Sequence, residues 1–280
     1  MAQDLAGKTF IVTGANTGIG KITAGDLASR GAHVILACRN EAKPTPVVDE
    51  IKRTTKNDKI EFMALDLADQ KSVRSFVDAF LARKLPLDGL INNAGLVTRG
   101  TTTEGYELIF GVNHLGHHLL TRLLLDHLKK TKGSRIVNVA SAAHRAKKID
   151  WTALQKTTKS VSGFAESTVS KLANVLFTKE LAKRLEGSGV TAYAVHPGGV
   201  ATDVWRRIPK PFRWLMNRFL ISPEEGAVLT LRAATDPTLA TESGRYYTQD
   251  GSEKKVSKVV TDDLAATLWS KSAEWTGLLA

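Results

Sequence analysis

Near the N-terminus, the run Thr13-Gly14-Ala15-Asn16-Thr17-Gly18-Ile19-Gly20 sets three glycines at spacings of four and two residues. Between a strand and a helix, such a loop has the chemistry of a phosphate cradle. Gly14 permits a tight turn, Gly18 lets the backbone approach a pyrophosphate, and Gly20 lets the helix pack closely. The helix opening at Gly18 would turn its first N–H groups and its positive dipole end toward the anion. Asn16, Thr17 and Ile19 complete the backbone of that cradle. Glycine-rich turns also arise for conformational reasons alone, so the flanking elements decide the reading.

A second signal bears on which dinucleotide is bound. Readers of an unphosphorylated ribose usually end the second strand in an acid that accepts from the 2′-hydroxyl. Here the run His33-Val34-Ile35-Leu36-Ala37-Cys38-Arg39-Asn40 carries a cation at that point. An arginine fork pairs well with a 2′-phosphate and poorly with a hydroxyl. NADP(H) is therefore the expected cofactor. His114, His117 and His118 share helical offsets of three and four, but no cysteine or carboxylate completes a metal set, and none is expected.

The elements that must position these residues follow from apolar periodicity. Lys8–Thr13, His33–Ala37, Ile60–Leu65, Leu87–Ile91, Arg135–Ala140 and Val190–Val195 read as strands. Helical patterns over Gly18–Arg30, Pro46–Thr54, Lys71–Arg83, Glu104–Lys130 and Ser167–Leu185 separate them. The long fourth stretch is expected to break near Gly111 or Gly116. Gly244–Thr248 reads as a short edge strand and Asp263–Glu274 as a closing helix. This βαβ rhythm implies an α/β fold with a parallel sheet covered by helices on both faces. With no repeat or convincing linker, residues 1–280 read as one domain.

Composition narrows the class. A hydrophobic fraction of 42% and a charged fraction of 24% exclude a disordered or fibrous chain. Cys38 is the only cysteine, which excludes an internal disulfide and fits a reducing compartment. The formal charge of +11 suits a phosphorylated ligand, a nucleic acid or an anionic surface, or simply a basic solvated face. No signal peptide and no run of about 20 apolar residues is evident, so a soluble, cytoplasmic protein is expected.

Taken together, Thr13–Gly20, Asp66 after the third strand and Asn92-Asn93-Ala94-Gly95 after the fourth resemble the short-chain dehydrogenase/reductase family. Ile35-Leu36-Ala37-Cys38-Arg39, Asn113-His114-Leu115-Gly116, Lys171-Leu172-Ala173-Asn174 and His196-Pro197-Gly198 resemble its retinol-dehydrogenase-like branch. The resemblance covers nearly the whole chain and implies a doubly wound, Rossmann-like sheet. It implies that Asp66 contacts the adenine and that Asn92 and Gly95 line the cofactor cleft. Asn113 would hold a helix-bulge water that links to Lys171, and Ser141 would hydrogen-bond a substrate carbonyl. Lys171 would bind the nicotinamide ribose; Pro197, Gly198 and Thr202 would place the nicotinamide. The substrate class implied is a hydrophobic alcohol, aldehyde or ketone.

One position departs from the family. The acid/base tyrosine belongs four residues before the lysine, where this chain has Ser167. A phenol near pKa ~10 can be lowered by a lysine, whereas an aliphatic hydroxyl starts near the ~15.7 of water. A positioned acid/base is worth roughly 10²–10⁴-fold. Three readings stay open: an impaired dehydrogenase or NADP(H)-binding protein without turnover, an enzyme in which Glu166 supplies the proton, and a repurposed non-redox reaction. The segment Trp205–Leu220 interleaves aromatic and basic residues. It reads as a lid on a lipophilic pocket, a peripheral membrane contact or plain packing. Self-association is expected through Glu104–Lys130 and Ser167–Leu185, the surfaces family members commonly pair; no nucleic-acid partner is expected.

Overall fold

A computed structural model describes residues 3–145, 148–200 and 220–279. Seven strands form one parallel sheet: β1 (Thr9–Thr13), β2 (His33–Cys38), β3 (Ile60–Ala64), β4 (Gly89–Asn92), β5 (Arg135–Val139), β6 (Thr191–His196) and β7 (Arg245–Thr248). Their spatial order is β3-β2-β1-β4-β5-β6-β7. The chain winds outward from β1 to β3, then returns to place β4 on the other side of β1. Ile11 therefore pairs with Ile35 on one side and Leu90 on the other. The crevice beyond the C-terminal ends of β1 and β4 is where open α/β sheets bind ligands.

Helices cover both faces, which is why the inner strands read as unbroken apolar runs. Phe10, Val12, Val34 and Leu36 point into one layer with Leu27 of α1 (Gly18–Ser29) and Ile51 of α2 (Pro44–Thr55). The alternating Ile11 and Ile35 point into the other. There they meet α3 (Gln70–Leu81), α5 (Gly116–Lys130) and α6 (Phe164–Arg184) through Phe76, Leu119, Leu124, Phe177 and Leu181.

The expected break in the long fourth stretch is real. A short turn, α4 (Leu108–Phe110), passes into a π-helical turn over Gly111–Leu115 before α5 resumes. Packing requires glycine at its end: a Cβ on Gly116 would lie 2.5 Å from the Leu67 carbonyl oxygen. Pro223–Thr235 forms a helix, α7, that apolar periodicity does not announce. Its signal is a capping box: the Ser222 hydroxyl accepts from the Glu225 N–H at 3.1 Å, and the Glu225 carboxylate accepts from the Ser222 N–H at 2.8 Å. The closing helix α8 (Asp262–Trp275) lies against α6. Trp269 of α8 sits between the guanidinium groups of Arg122 and Arg184, 4.5 and 4.4 Å from its ring centre. No described helix is long and apolar enough to cross a membrane.

Candidate active site

At the switch point, Gly14 turns with φ +65° and donates its N–H to the Ala37 carbonyl at 2.9 Å. Gly18 also lies at positive φ, +55°. A Cβ on Gly20 would stand 2.5 Å from Asn93 Nδ2 and 2.6 Å from the Gly14 carbonyl oxygen, so helix and loop meet only because it is absent. The first turn of α1 carries no acidic residue and its N-cap, Thr17, makes no side-chain cap. By contrast, α7 and α8 each begin with two carboxylates. An uncapped, acid-free helix start facing the sheet crevice suits the diphosphate of a dinucleotide. Asn16 is half-buried, and Ile19 is buried against Val200 and Ala227, anchoring the loop from below.

Beneath the loop, Thr13 is the junction. Its hydroxyl oxygen accepts from the N–H groups of Asn93 and Ala94, both at 2.9 Å, and its carbonyl accepts from Asn93 Nδ2 at 2.8 Å. Asn93 therefore ties β4 to β1. Asn92 points elsewhere, into the core, where its Nδ2 donates to Thr121 at 2.9 Å and Asn138 at 2.8 Å. Arg39 is exposed just past β2 and forms no ion pair among the described residues. Cys38 is buried before it, and that burial pushes its thiol up to about 11 despite N–H groups of Ala15, Asn16 and Gly14. Half-buried Asp66 accepts from the Ala68 N–H at 2.9 Å.

The second half of the site forms where the π-turn meets α6. Asn113 is held on both ends of its amide: Oδ1 accepts from the Leu96 N–H at 2.8 Å, while Nδ2 donates to the Leu96 carbonyl and to Ser170 Oγ, each at 3.1 Å. Ser170 in turn donates to the Ser167 carbonyl at 2.7 Å. Lys171 Nζ donates to the Val139 carbonyl at 2.9 Å. Burial pushes its ammonium down to about 8. Gly95 opens toward this corner: a Cβ there would lie 3.5 Å from Asn113 Oδ1 and 3.8 Å from Lys171 Nζ. Ser141 follows β5, and its hydroxyl accepts from the Ala143 N–H at 3.2 Å. Its carbonyl is held by His144 Nδ1 at 2.8 Å. Ser167 is half-buried one helical turn before Lys171, so the two share a face of α6.

The short chain dehydrogenase family model matches residues 8–211, which include the loop, the Asn113 turn and Lys171. The chain belongs to that family. It is 45% identical over 278 residues to retinol dehydrogenase 12 of Mus musculus, covering 98% of this chain and 88% of that protein. A structure of an uncharacterized protein from Mycobacterium paratuberculosis superposes with a TM-score of 0.78 at 32% identity, covering 100% of this chain and 98% of that one. A structure titled as an NAD(P) dependent gluconate 5-dehydrogenase from Beutenbergia cavernae, with bound NADP, superposes at 0.71 with 27% identity, covering 90% and 98%.

In this short-chain dehydrogenase, Pro197 is buried after β6 and Gly198 turns at φ +98°, with a Cβ there meeting Gln249 Oε1 at 2.4 Å. Thr202 and residues 205–219 lie outside the described residues. Their flanks are joined: the Ile221 N–H donates to the Gly199 carbonyl at 2.9 Å. Glu166 turns toward Ser160, whose N–H donates to it at 2.9 Å and whose hydroxyl donates to its other oxygen. Burial raises this carboxyl, but the Ser160 bonds together with the main-chain N–H groups of Glu166 and Lys159 hold the group below its ordinary value. The four tyrosines are occupied elsewhere: Tyr106 beside Trp275, Tyr193 bonded to Thr191 and Leu239, Tyr246 edge-on to His144, and Tyr247 bonded to Glu242. The three histidines diverge. His114 bonds Ser272 at 2.9 Å, His117 bonds Thr13, and His118 packs against Phe177 and Trp269. Among the described residues no group of three histidine, cysteine or carboxylate side chains could hold a metal. Sequence spacing named neither Thr13, Asn93 nor His117 as a structural partner of the site.

Proposed function

We propose that the chain is an NADP(H)-dependent oxidoreductase for a hydrophobic alcohol, aldehyde or ketone, with turnover limited by Ser167. The observation that carries it is Lys171 Nζ, fixed on the Val139 carbonyl beside Gly95, whose neighbour Ala94 abuts Gly14 of the glycine loop. A bound nicotinamide would supply or take up the hydride at the carbonyl carbon. Arg39 would pair with the 2′-phosphate, and the N–H groups at the start of α1 would meet the diphosphate. Ser141 would donate to the substrate oxygen. Lys171, lowered to about 8, would hold the ribose and set the local field. What the corner lacks is a phenol to pass the proton, since Ser167 occupies the position one turn before the lysine.

The specific observation favouring a second reading, cofactor binding without turnover, is the engagement of Glu166. Its carboxylate is committed to Ser160, which makes it a poor proton donor near neutral pH. A fluorescence titration with NADPH and NADH, followed by steady-state NADPH oxidation over a panel of lipophilic carbonyls, tests both. Tight NADPH binding with slow turnover supports the first reading. Binding with no turnover on any carbonyl supports the second, and failure to bind either nucleotide sinks both.

A further inference from the structure

Both Nδ2 hydrogens of Asn113 are committed, to Leu96 and Ser170, and its Oδ1 accepts from the Leu96 N–H. Its main-chain carbonyl lies in the π-turn, and His117 Nδ1 lies 3.1 Å from that oxygen. On the other side of the same ring, Nε2 lies 2.9 Å from the Thr13 hydroxyl, across 104 residues of sequence. His117 is buried, and burial pushes its imidazole down to about 4, so the ring is neutral.

The proton positions follow from valence. A carbonyl only accepts, so Nδ1 carries the hydrogen and donates to Asn113. Nε2 of a neutral ring then accepts. Thr13 already receives the Asn93 and Ala94 N–H groups, which leaves its own hydrogen to donate to Nε2, closer than the alternative Ile91 carbonyl at 3.3 Å. One unbroken chain of bonds thus runs from the floor of the glycine loop to the corner that holds Lys171.

We propose that His117 is a positioning residue: its Nδ1–H fixes the Asn113 carbonyl and so links the π-turn to the seating of the cofactor at the Lys171 corner. This rests on the cofactor reading above. Any water that the π-turn holds through Asn113 must share that carbonyl with the His117 ring.

The test compares NADPH affinity, by fluorescence titration, in the unmutated full chain, His117→Phe and His117→Asn, with thermal midpoints recorded for each. The Asn Nδ2 sits close to where Nδ1 sits, so it keeps the donor to Asn113 and loses only the bond to Thr13. The Phe variant should bind NADPH about 10-fold more weakly, the scale of one net buried hydrogen bond. The Asn variant should recover to within about 3-fold of the unmutated protein at a similar thermal midpoint. That recovery separates positioning from general destabilisation. The proposal is overturned if the Phe variant binds as the unmutated protein does, or if the Asn variant binds as weakly as Phe. If His117→Phe does not fold, His117→Gln, whose amide reaches one bond too far for the Asn113 carbonyl, takes its place with the same expectations. If the unmutated protein takes up neither NADPH nor NADH, the cofactor reading has failed, and ¹⁵N NMR of the ring decides the link. A proton on Nδ1 with a neutral ring sustains it; a proton on Nε2 overturns it.

Discussion

The carboxylate of Glu166 is gripped by Ser160, through a main-chain N–H at 2.9 Å and through the side-chain hydroxyl. The pair is six positions apart, so the loop before α6 folds back onto the helix's first turn. The bond stabilises the carboxylate form and, on the proposed reading of Ser167, leaves Glu166 a poor substitute for a phenol beside Lys171. Glu166→Gln should therefore change NADPH-dependent turnover by less than about 3-fold, whereas Ser167→Tyr should raise it at least ~10²-fold. Steady-state assays of both variants on the same lipophilic carbonyl check this. Loss of all activity in Glu166→Gln, with no gain in Ser167→Tyr, would mean a relocated acid.

Arg39 should set cofactor choice. It stands exposed beyond β2, with no ion pair among the described residues competing for its guanidinium. Arg39→Asp removes a charge-assisted phosphate contact and supplies an acceptor for a ribose hydroxyl. The ratio of NADPH to NADH affinity should fall by about 10-fold or more, the scale of one charge-assisted hydrogen bond. Equal affinities in the unmutated protein would contradict the assignment.

Acid should destabilise the fold through its buried imidazoles. Burial holds His114 at about 3 and His117 at about 4, against an ordinary value of 6.5. Below pH 6.5 the unfolded chain gains protons that the native one cannot accept. The stability they contribute is therefore complete above 6.5 and drains away as the pH falls toward those lower values. Between pH 7 and 5 each should cost about 2 kcal/mol. Urea unfolding at the two pH values measures it, and an unchanged free energy would show that the rings are not buried neutral.

Gly20 should tolerate no side chain. A Cβ there would stand 2.5 Å from Asn93 Nδ2 and 2.6 Å from the Gly14 carbonyl oxygen, and the latter is backbone that cannot swing aside. Gly20→Ala should destabilise the protein by about 1–3 kcal/mol, as overpacking does. It should also weaken nucleotide binding by prising α1 from the loop. Chemical denaturation and the NADPH titration read the two effects separately.

The sequence alone determined the alternation of strands and helices, the glycine loop at the end of β1, the break before α5 and the placement of Ser167 one turn from Lys171. Each is written in short spacings: apolar period, backbone freedom at glycine, and offsets of four on a helix. Even the helix over Pro223–Thr235 had its local mark in Ser222 and Glu225. Spacing could not determine where the side chains of two adjacent asparagines point. Asn92 faces Thr121 and Asn138 in the core, while Asn93 reaches across to Thr13. Nor could it pair Thr13 with His117, or say that Glu166 turns to Ser160 and that α8 covers α6 through Trp269 and Arg184. Most of these contacts join residues tens of positions apart, and the register of the sheet and the packing of its helices create them. Tertiary structure alone decided them, because a side chain's partner is set by what the fold brings opposite it.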